Sequence, residues 1–205
     1  GDGKTTVLAN LAVTYAQSGK KVLLIDADLR RPGLTKLLGL RGTIGLSSLL
    51  RAEEPLVPMA AASISASGIE GPDVLASGPR PTNPAELLNG VRFSELLAWA
   101  ETIYDQVLID SPPALAASDA AVIGRIVDGV LLVVQPEKNQ RRSVMRAADS
   151  FVSLGIDLVG VIINRASGEK DGDFYGYGGY GYEYGYGDED GEFDGETVEN
   201  TKEAA

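Results

Sequence analysis

Four short apolar runs recur along this chain, and they leave few choices of fold. They are Val22-Leu23-Leu24-Ile25, Val107-Leu108-Ile109, Val130-Leu131-Leu132-Val133-Val134 and Leu158-Val159-Gly160-Val161-Ile162-Ile163, with a weaker candidate at Val74-Leu75-Ala76. Unbroken runs of this kind are expected from strands buried on both faces of a parallel sheet. Helical periodicities fall between them: Val7, Leu8, Leu11, Ala12 and Tyr15 before a stop at Gly19; Phe93, Leu96, Leu97 and Ala100; Ala121, Val122 and Ile126 behind a Ser118 cap; and Val144, Ala147, Ala148, Phe151 and Leu154 behind the polar start Asn139-Gln140-Arg141-Arg142. Strands alternating with helices indicate an α/β fold with a doubly wound parallel sheet. The stretch from 53 to 83, rich in Ala, Ser, Gly and Pro, is expected to be mostly loop.

The first helix opens on Gly1-Asp2-Gly3-Lys4-Thr5-Thr6, the back half of a phosphate-loop pattern. In the full pattern, backbone N–H groups wrap a phosphate, the lysine reaches the outer phosphates and the next hydroxyl holds Mg²⁺. An anion is favoured at a helix N-terminus, where N–H groups are unpaired and the macrodipole is positive. G-K-T alone is a weak signal. Its meaning grows because Asp26, Asp28 and Asp110 stand directly after apolar runs, at the carboxyl ends of strands where parallel sheets bind ligands. A lone Asp after a strand is more often a turn or helix cap. Two strands ending in Asp, one as Asp26-Ala27-Asp28, together with a G-K-T helix, favour a Mg-nucleotide site. The extended-chain period of two puts Asp26 and Asp28 on one side, so one can serve a metal while the other takes a proton.

Composition removes other chemistries. The chain has no cysteine and no histidine, which excludes disulfides, thiolate and imidazole metal sites, and Ser-His-Asp or Cys-His nucleophiles. Asp, Glu, Lys and Arg are left to carry any reaction. The net charge of −11 is concentrated: residues 169–205 hold twelve Asp or Glu against two Lys, which leaves −1 for residues 1–168. A nearly neutral folded part lacks the basic face a nucleic acid needs, so no nucleic-acid partner is expected. No apolar run approaches the roughly 20 residues that cross a bilayer. Residues 168–195 are almost entirely Gly, Asp, Glu and Tyr, with almost no aliphatic side chains, and carry Tyr175, Tyr177, Tyr180, Tyr182, Tyr184 and Tyr186, six of the eight tyrosines. The chain therefore divides into an expected nucleotide-binding domain at 1–167 and a disordered acidic Gly/Tyr-rich tail at 168–205.

The order Gly3-Lys4-Thr5, then 22–32 ending Asp26-Ala27-Asp28-Leu29-Arg30-Arg31-Pro32, then Tyr104-Asp105-Gln106-Val107-Leu108-Ile109-Asp110-Ser111-Pro112-Pro113, then a tyrosine cluster, closely resembles the bacterial tyrosine kinases. Those are cytoplasmic autokinases of capsule and exopolysaccharide export systems, with a P-loop fold of the MinD/ParA-like type. Their second loop motif (Walker A′) matches at 22–32, their Walker B at 107–113, and their linking segment at Ser77-Gly78-Pro79-Arg80-Pro81-Thr82-Asn83-Pro84-Ala85-Glu86-Leu87-Leu88.

By that resemblance the cofactors are ATP and Mg²⁺. Gly1, Asp2, Gly3, Lys4, Thr5 and Thr6 would cradle the phosphates, with Lys4 on the β and γ groups; Thr5, Asp26 and Asp110 would form the metal site. Asp28 or Asp26 would accept the tyrosine proton, with Asp28 preferred. Asn164 and Arg165 match the position from which relatives of this fold bond adenine, although a strand-ending turn explains that pair equally well. The six tail tyrosines would be phosphorylated by a neighbouring subunit, with Arg30, Arg31, Arg141, Arg142 or Arg146 as guides for the acidic tail; a solvated face is the plainer reading of each arginine. The resemblance also implies a homo-oligomeric ring, a membrane-bound polysaccharide co-polymerase segment or partner that places the domain at the inner face of the plasma membrane, and an opposing tyrosine phosphatase. In the family a strand, the first loop residues and an arginine-bearing helix precede the G-K-T, so ATP affinity is expected to depend on such upstream residues. Two rivals remain at this stage: a partitioning or division-positioning ATPase that passes the phosphoryl group to water, and a nucleotide-sensing scaffold with a cohesive tyrosine tail.

Overall fold

The computed structural model describes residues 1–66 and 71–166. Helix α1 (Lys4–Gln17) leads into β1 (Val22–Asp26), then α2 (Gly33–Leu37), α3 (Leu46–Arg51), α4 (Leu56–Ser63), β2 (Ser65–Ala66) and β3 (Asp73–Leu75). There follow α5 (Pro84–Leu88), α6 (Val91–Glu101), β4 (Gln106–Asp110), α7 (Asp119–Gly124), β5 (Val130–Val134), α8 (Arg141–Ser153) and β6 (Leu158–Ile163).

Strand β1 lies at the centre because it is apolar on both faces. Its five residues are all buried. Leu23 and Ile25 enter a core with Leu46, Leu49, Phe93 and Leu96 from α3 and α6, whereas Val22 and Leu24 pack with Ala12, Leu8 and Tyr15 of α1. Alternate residues thus feed opposite layers, as the strand period of two requires. Each fully buried Leu or Ile contributes about 2 kcal/mol of transfer free energy, so helices on both faces are held by one strand. β1 pairs in parallel with β3 on one edge and β4 on the other. The latter register sets Leu24 against Leu108 and Asp26 against Asp110.

Three features depart from the expected pattern. The stretch expected to be mostly loop contains α4, with Leu56 and Ala60 buried, and β2 pairs antiparallel with β3. Alanine-rich sequence reads as low in pattern, but Ala is the best helix former and needs only one small buried face. Ser118 precedes α7 without a side-chain capping bond. Finally, the hydrogen-bonded strands form two groups, β2-β3-β1-β4 and β5-β6. A cleft of about 420 Å³ separates them, lined by Leu11 and Tyr15 of α1, Val107 and Ile109 of β4, Leu131 of β5 and Val159 of β6. Consequently β4 is half-exposed up to Ile109, and β6 alternates between half-buried and exposed residues instead of being covered on both sides. Leu158 at its start packs against Ala120, Phe151 and Ile156 in a separate small core. Among the described residues no helix is long and apolar enough to cross a membrane.

Candidate active site

The carboxyl ends of β1 and β4 and the start of α1 meet at one point. Gly3 caps α1 in the left-handed region, with φ 91°, and Asn164 lies where its Cβ would be. Only glycine takes that turn without strain. Val7 N–H donates to Gly3 O at 2.8 Å, the first bond of the helix, so the N–H groups of the first turn are free for an anion. Lys4 and Thr5 follow on this turn, both half-buried. Thr5 Oγ1 donates to Asp110 Oδ2 at 2.6 Å, which joins two residues 105 positions apart.

Asp26 and Asp110 sit side by side, fully and almost fully buried. Burial pushes both carboxyls up; Asp110 reaches about 6, with the Thr5 hydroxyl opposing the shift and the charge of Asp26 adding to it. Two carboxylates desolvated next to each other call for a cation. The oxygens of Thr5 and Asp110 are hard donors suited to Mg²⁺, which is typically held by one or two protein groups plus substrate phosphates. Among the described residues, no group of three or more acidic side chains stands close enough together to hold a metal ion by itself. The residues therefore fit Mg²⁺ with a nucleotide.

Asp26 has a second task. Its Oδ2 accepts Thr35 N–H at 2.7 Å and its Oδ1 accepts Asp28 N–H at 3.2 Å. Thr35 Oγ1 in turn accepts Ser77 N–H at 2.9 Å. Asp26 thus fixes the arm that follows β1 and, through Thr35, the start of the 77–88 segment. Two carboxylate oxygens offer about four acceptor positions, so capacity for a metal-bound water is left. Asp28 is less buried. Its Oδ1 accepts Arg31 N–H at 2.9 Å, and its charge acts on both Asp110 and Arg30.

Other expected residues are placed differently. Thr6 is exposed. Asp2 turns its carboxylate to Lys138 Nζ at 2.9 Å and Asn139, and Lys138 holds its carboxyl below the usual range; only its backbone is left for a phosphate. Asn164 Nδ2 donates to Asp2 O at 2.8 Å, and its N–H to Val134 O. Asn164 therefore braces the phosphate loop against β5, while Arg165 is exposed with φ 55°. Arg31, Arg141, Arg142 and Arg146 are exposed, whereas Arg30 is committed to Asp119. Gly1 is exposed at the chain's start. The six tail tyrosines lie outside the described residues.

Two contributors escaped the sequence reading. A Cβ on Gly33 would stand 2.9 Å from Thr5 Oγ1 and 3.8 Å from Asp110 Oδ2, so α2 reaches the metal position only without a side chain there. The Pro32-Gly33 pair marks a turn but carries no sign of this contact. Thr35 has no local signal at all.

A ParA family model, described as a NUBPL iron-transfer P-loop NTPase, matches residues 1–171. Protein-bound iron–sulfur clusters need Cys or His ligands, and the chain has neither, so that match speaks for the nucleotide-binding fold. The chain is 41% identical over 181 residues to the tyrosine-protein kinase YwqD of Bacillus subtilis (strain 168), spanning 88% of this chain and 73% of that protein. It is 42% identical over 185 residues to the tyrosine-protein kinase wzc of Salmonella typhi, where 88% of this chain spans 25% of a much longer protein. Among solved structures, the kinase domain of the Escherichia coli tyrosine kinase ETK superposes with a TM-score of 0.73 at 39% identity, covering 84% of this chain and 68% of that one. The septum site-determining protein MinD of Pyrococcus horikoshii OT3, complexed with Mg-ADP, does so with a TM-score of 0.67 at 27% identity, covering 82% and 67%. With this identity to YwqD over most of both chains, on a parallel α/β P-loop NTPase fold, the chain belongs to the bacterial tyrosine kinase family.

Proposed function

We propose that this chain is the catalytic domain of an ATP-dependent protein-tyrosine autokinase acting in capsule or exopolysaccharide export. The observation that carries the reading is the meeting of Thr5, Asp26 and Asp110, with Asp28 bonded through its N–H to the Asp26 carboxylate. Lys4 and the first-turn N–H groups of α1 would hold the β and γ phosphates. Thr5, Asp26 and Asp110 would hold Mg²⁺, which would supply positive charge to offset the negative charge of the phosphates. Asp28 Oδ2 would accept the tyrosine proton as the phenolic oxygen bonds to the γ-phosphorus and ADP leaves. Asn164, with Arg165, would face the base side of the same loop.

The acceptors would be the tyrosines from Tyr175 to Tyr186, presented in trans within a homo-oligomeric ring. Each phosphate adds about −1.5 to −2 charges to an already acidic tail, which favours its release from the neighbouring site and leaves reversal to a phosphatase. A membrane-bound co-polymerase segment or partner would hold the domain at the inner face of the plasma membrane. The cleft between the two strand groups, lined by Val107, Ile109, Leu131 and Val159, suits an apolar segment. Residues 168–205 would then serve as the acceptor tail of the kinase domain at 1–167.

The MinD likeness keeps hydrolysis as the rival. Incubation with γ-labelled ATP and Mg²⁺, alongside a variant whose six tail tyrosines are Phe, decides between them. Label on the parent and none on the variant is the expected result; equal release of free phosphate by both would refute the kinase assignment.

A further inference from the structure

Asp119 is a fully buried carboxylate that the proposed reaction does not use. It opens α7, nine positions after Asp110, and both its oxygens are taken by one side chain. Arg30 Nε donates to Oδ2 at 2.7 Å and Arg30 Nη2 to Oδ1 at 3.0 Å. The pair is asymmetric, since Asp119 is wholly enclosed while the Arg30 side chain keeps 43% of its exposure. A buried carboxylate left unmatched is strongly unfavourable, and a bidentate guanidinium gives both charge and direction. Arg30 is thus held in one geometry by a partner that has no other place to go.

Arg30 belongs to the arm that carries Asp28. The arm is tied at its base, where Ala27 N–H donates to Asp110 O at 2.9 Å, and Leu29 is buried. Within the arm, Arg31 N–H grips Asp28 Oδ1. The Arg30 fork is the far anchor, joining the segment after β1 to the helix after β4. Asp28 therefore lies between two tethers, one on Asp110 and one on Asp119.

We propose that Asp119 is a positioning residue for phosphoryl transfer, fixing through Arg30 the arm that aims Asp28 at the acceptor hydroxyl. This rests on the kinase reading above. Because Asp119 touches neither the phosphate loop nor Thr5, its loss should slow the chemical step and leave ATP binding in place; a misaimed base typically costs tenfold or more in rate.

The test uses the full chain with Asp119→Asn, which is nearly isosteric, Arg30→Lys, Arg30→Ala and the pair Arg30→Ala with Asp119→Asn. Label transfer gives kcat and KM for ATP, and amide exchange reads residues 27–31. The expected result for Asp119→Asn is a kcat lower by about tenfold with KM within about twofold, with faster exchange at Asp28 and Arg31. Arg30→Lys should fall between parent and Asp119→Asn. Guanidinium added to Arg30→Ala should recover transfer, and should fail to do so in the double variant. The proposal is overturned if Asp119→Asn matches an active parent in kcat, if KM rises in step with the fall in kcat, or if guanidinium acts equally in both backgrounds. Should Asp119→Asn fail to fold by circular dichroism, the guanidinium comparison on Arg30→Ala decides alone: no recovery overturns the proposal. An inactive parent would instead refute the kinase reading.

Discussion

Replacing Asp110 with Asn should make the nucleotide-free protein more stable at pH 8 while abolishing phosphoryl transfer. In the folded chain the Asp110 carboxyl is pushed from 3.8 to about 6, chiefly by burial. At about 1.4 kcal/mol per unit, its ionised form costs the fold about 3 kcal/mol. An acid with a raised folded value favours the folded state when protonated. Its cost is absent below about pH 4, builds as pH rises from about 4 to about 6, and is constant above. The amide of Asn carries no charge and can still accept the Thr5 hydroxyl through its oxygen. Because the value of about 6 already includes the Thr5 bond to the carboxylate, the gain at pH 8 is about 3 kcal/mol. With a urea slope of roughly 2 kcal/mol per M, the midpoint should rise by about 1.5 M. The two proteins should converge at pH 4, and Asp26, shifted the same way, should keep its own share of the slope in both. Added Mg²⁺ with a non-hydrolysable ATP analogue should stabilise the parent by mass action and the variant far less. Urea titrations at pH 4 and pH 8, with and without the ligand pair, check all of this. A variant less stable than the parent at pH 8, or a gap of equal size at both pH values, would show that Asp110 is not a strained acid awaiting a cation.

Gly33→Ala should keep the fold and lower Mg-dependent ATP affinity by about tenfold, since the new methyl presses on Thr5 Oγ1 at 2.9 Å; unchanged calorimetric binding would mean that α2 yields freely. Phe93→Ala removes a ring with no exposure from the core beneath β1 and should destabilise by about 3 to 5 kcal/mol, readable as a fall in thermal midpoint of several degrees or more. A loss below about 1 kcal/mol would contradict a rigid core there.

The sequence reading of the site was strongest where one element carries its own signal. The G-K-T turn, the Asp-x-Asp after Val22-Leu23-Leu24-Ile25 and the Asp after Val107-Leu108-Ile109 are local strings, and every strand but the short β2 lies within a residue of an apolar run. Reading β6 as covered on both faces failed because an apolar run reports what a strand prefers, not what packs on it; Val159, Val161 and Ile163 remain open. Helix α4 was missed because alanine supplies helix propensity without a visible stripe.

From the amino-acid order alone came the α/β alternation, the phosphate turn, the three candidate carboxylates and the exclusion of thiol and imidazole chemistry. These depend on periodicity and residue type within a few positions, where backbone geometry fixes the outcome. Only the tertiary structure decided that Asp26 and Asp110 share one register step, that Thr5 reaches Asp110, that Gly33 lies against Thr5, that Thr35 bonds Asp26, and that Arg30 bonds Asp119. Each of these joins segments distant in the chain. Such pairings are set by strand order and by the need to satisfy buried polar groups, and no local stretch of sequence encodes them.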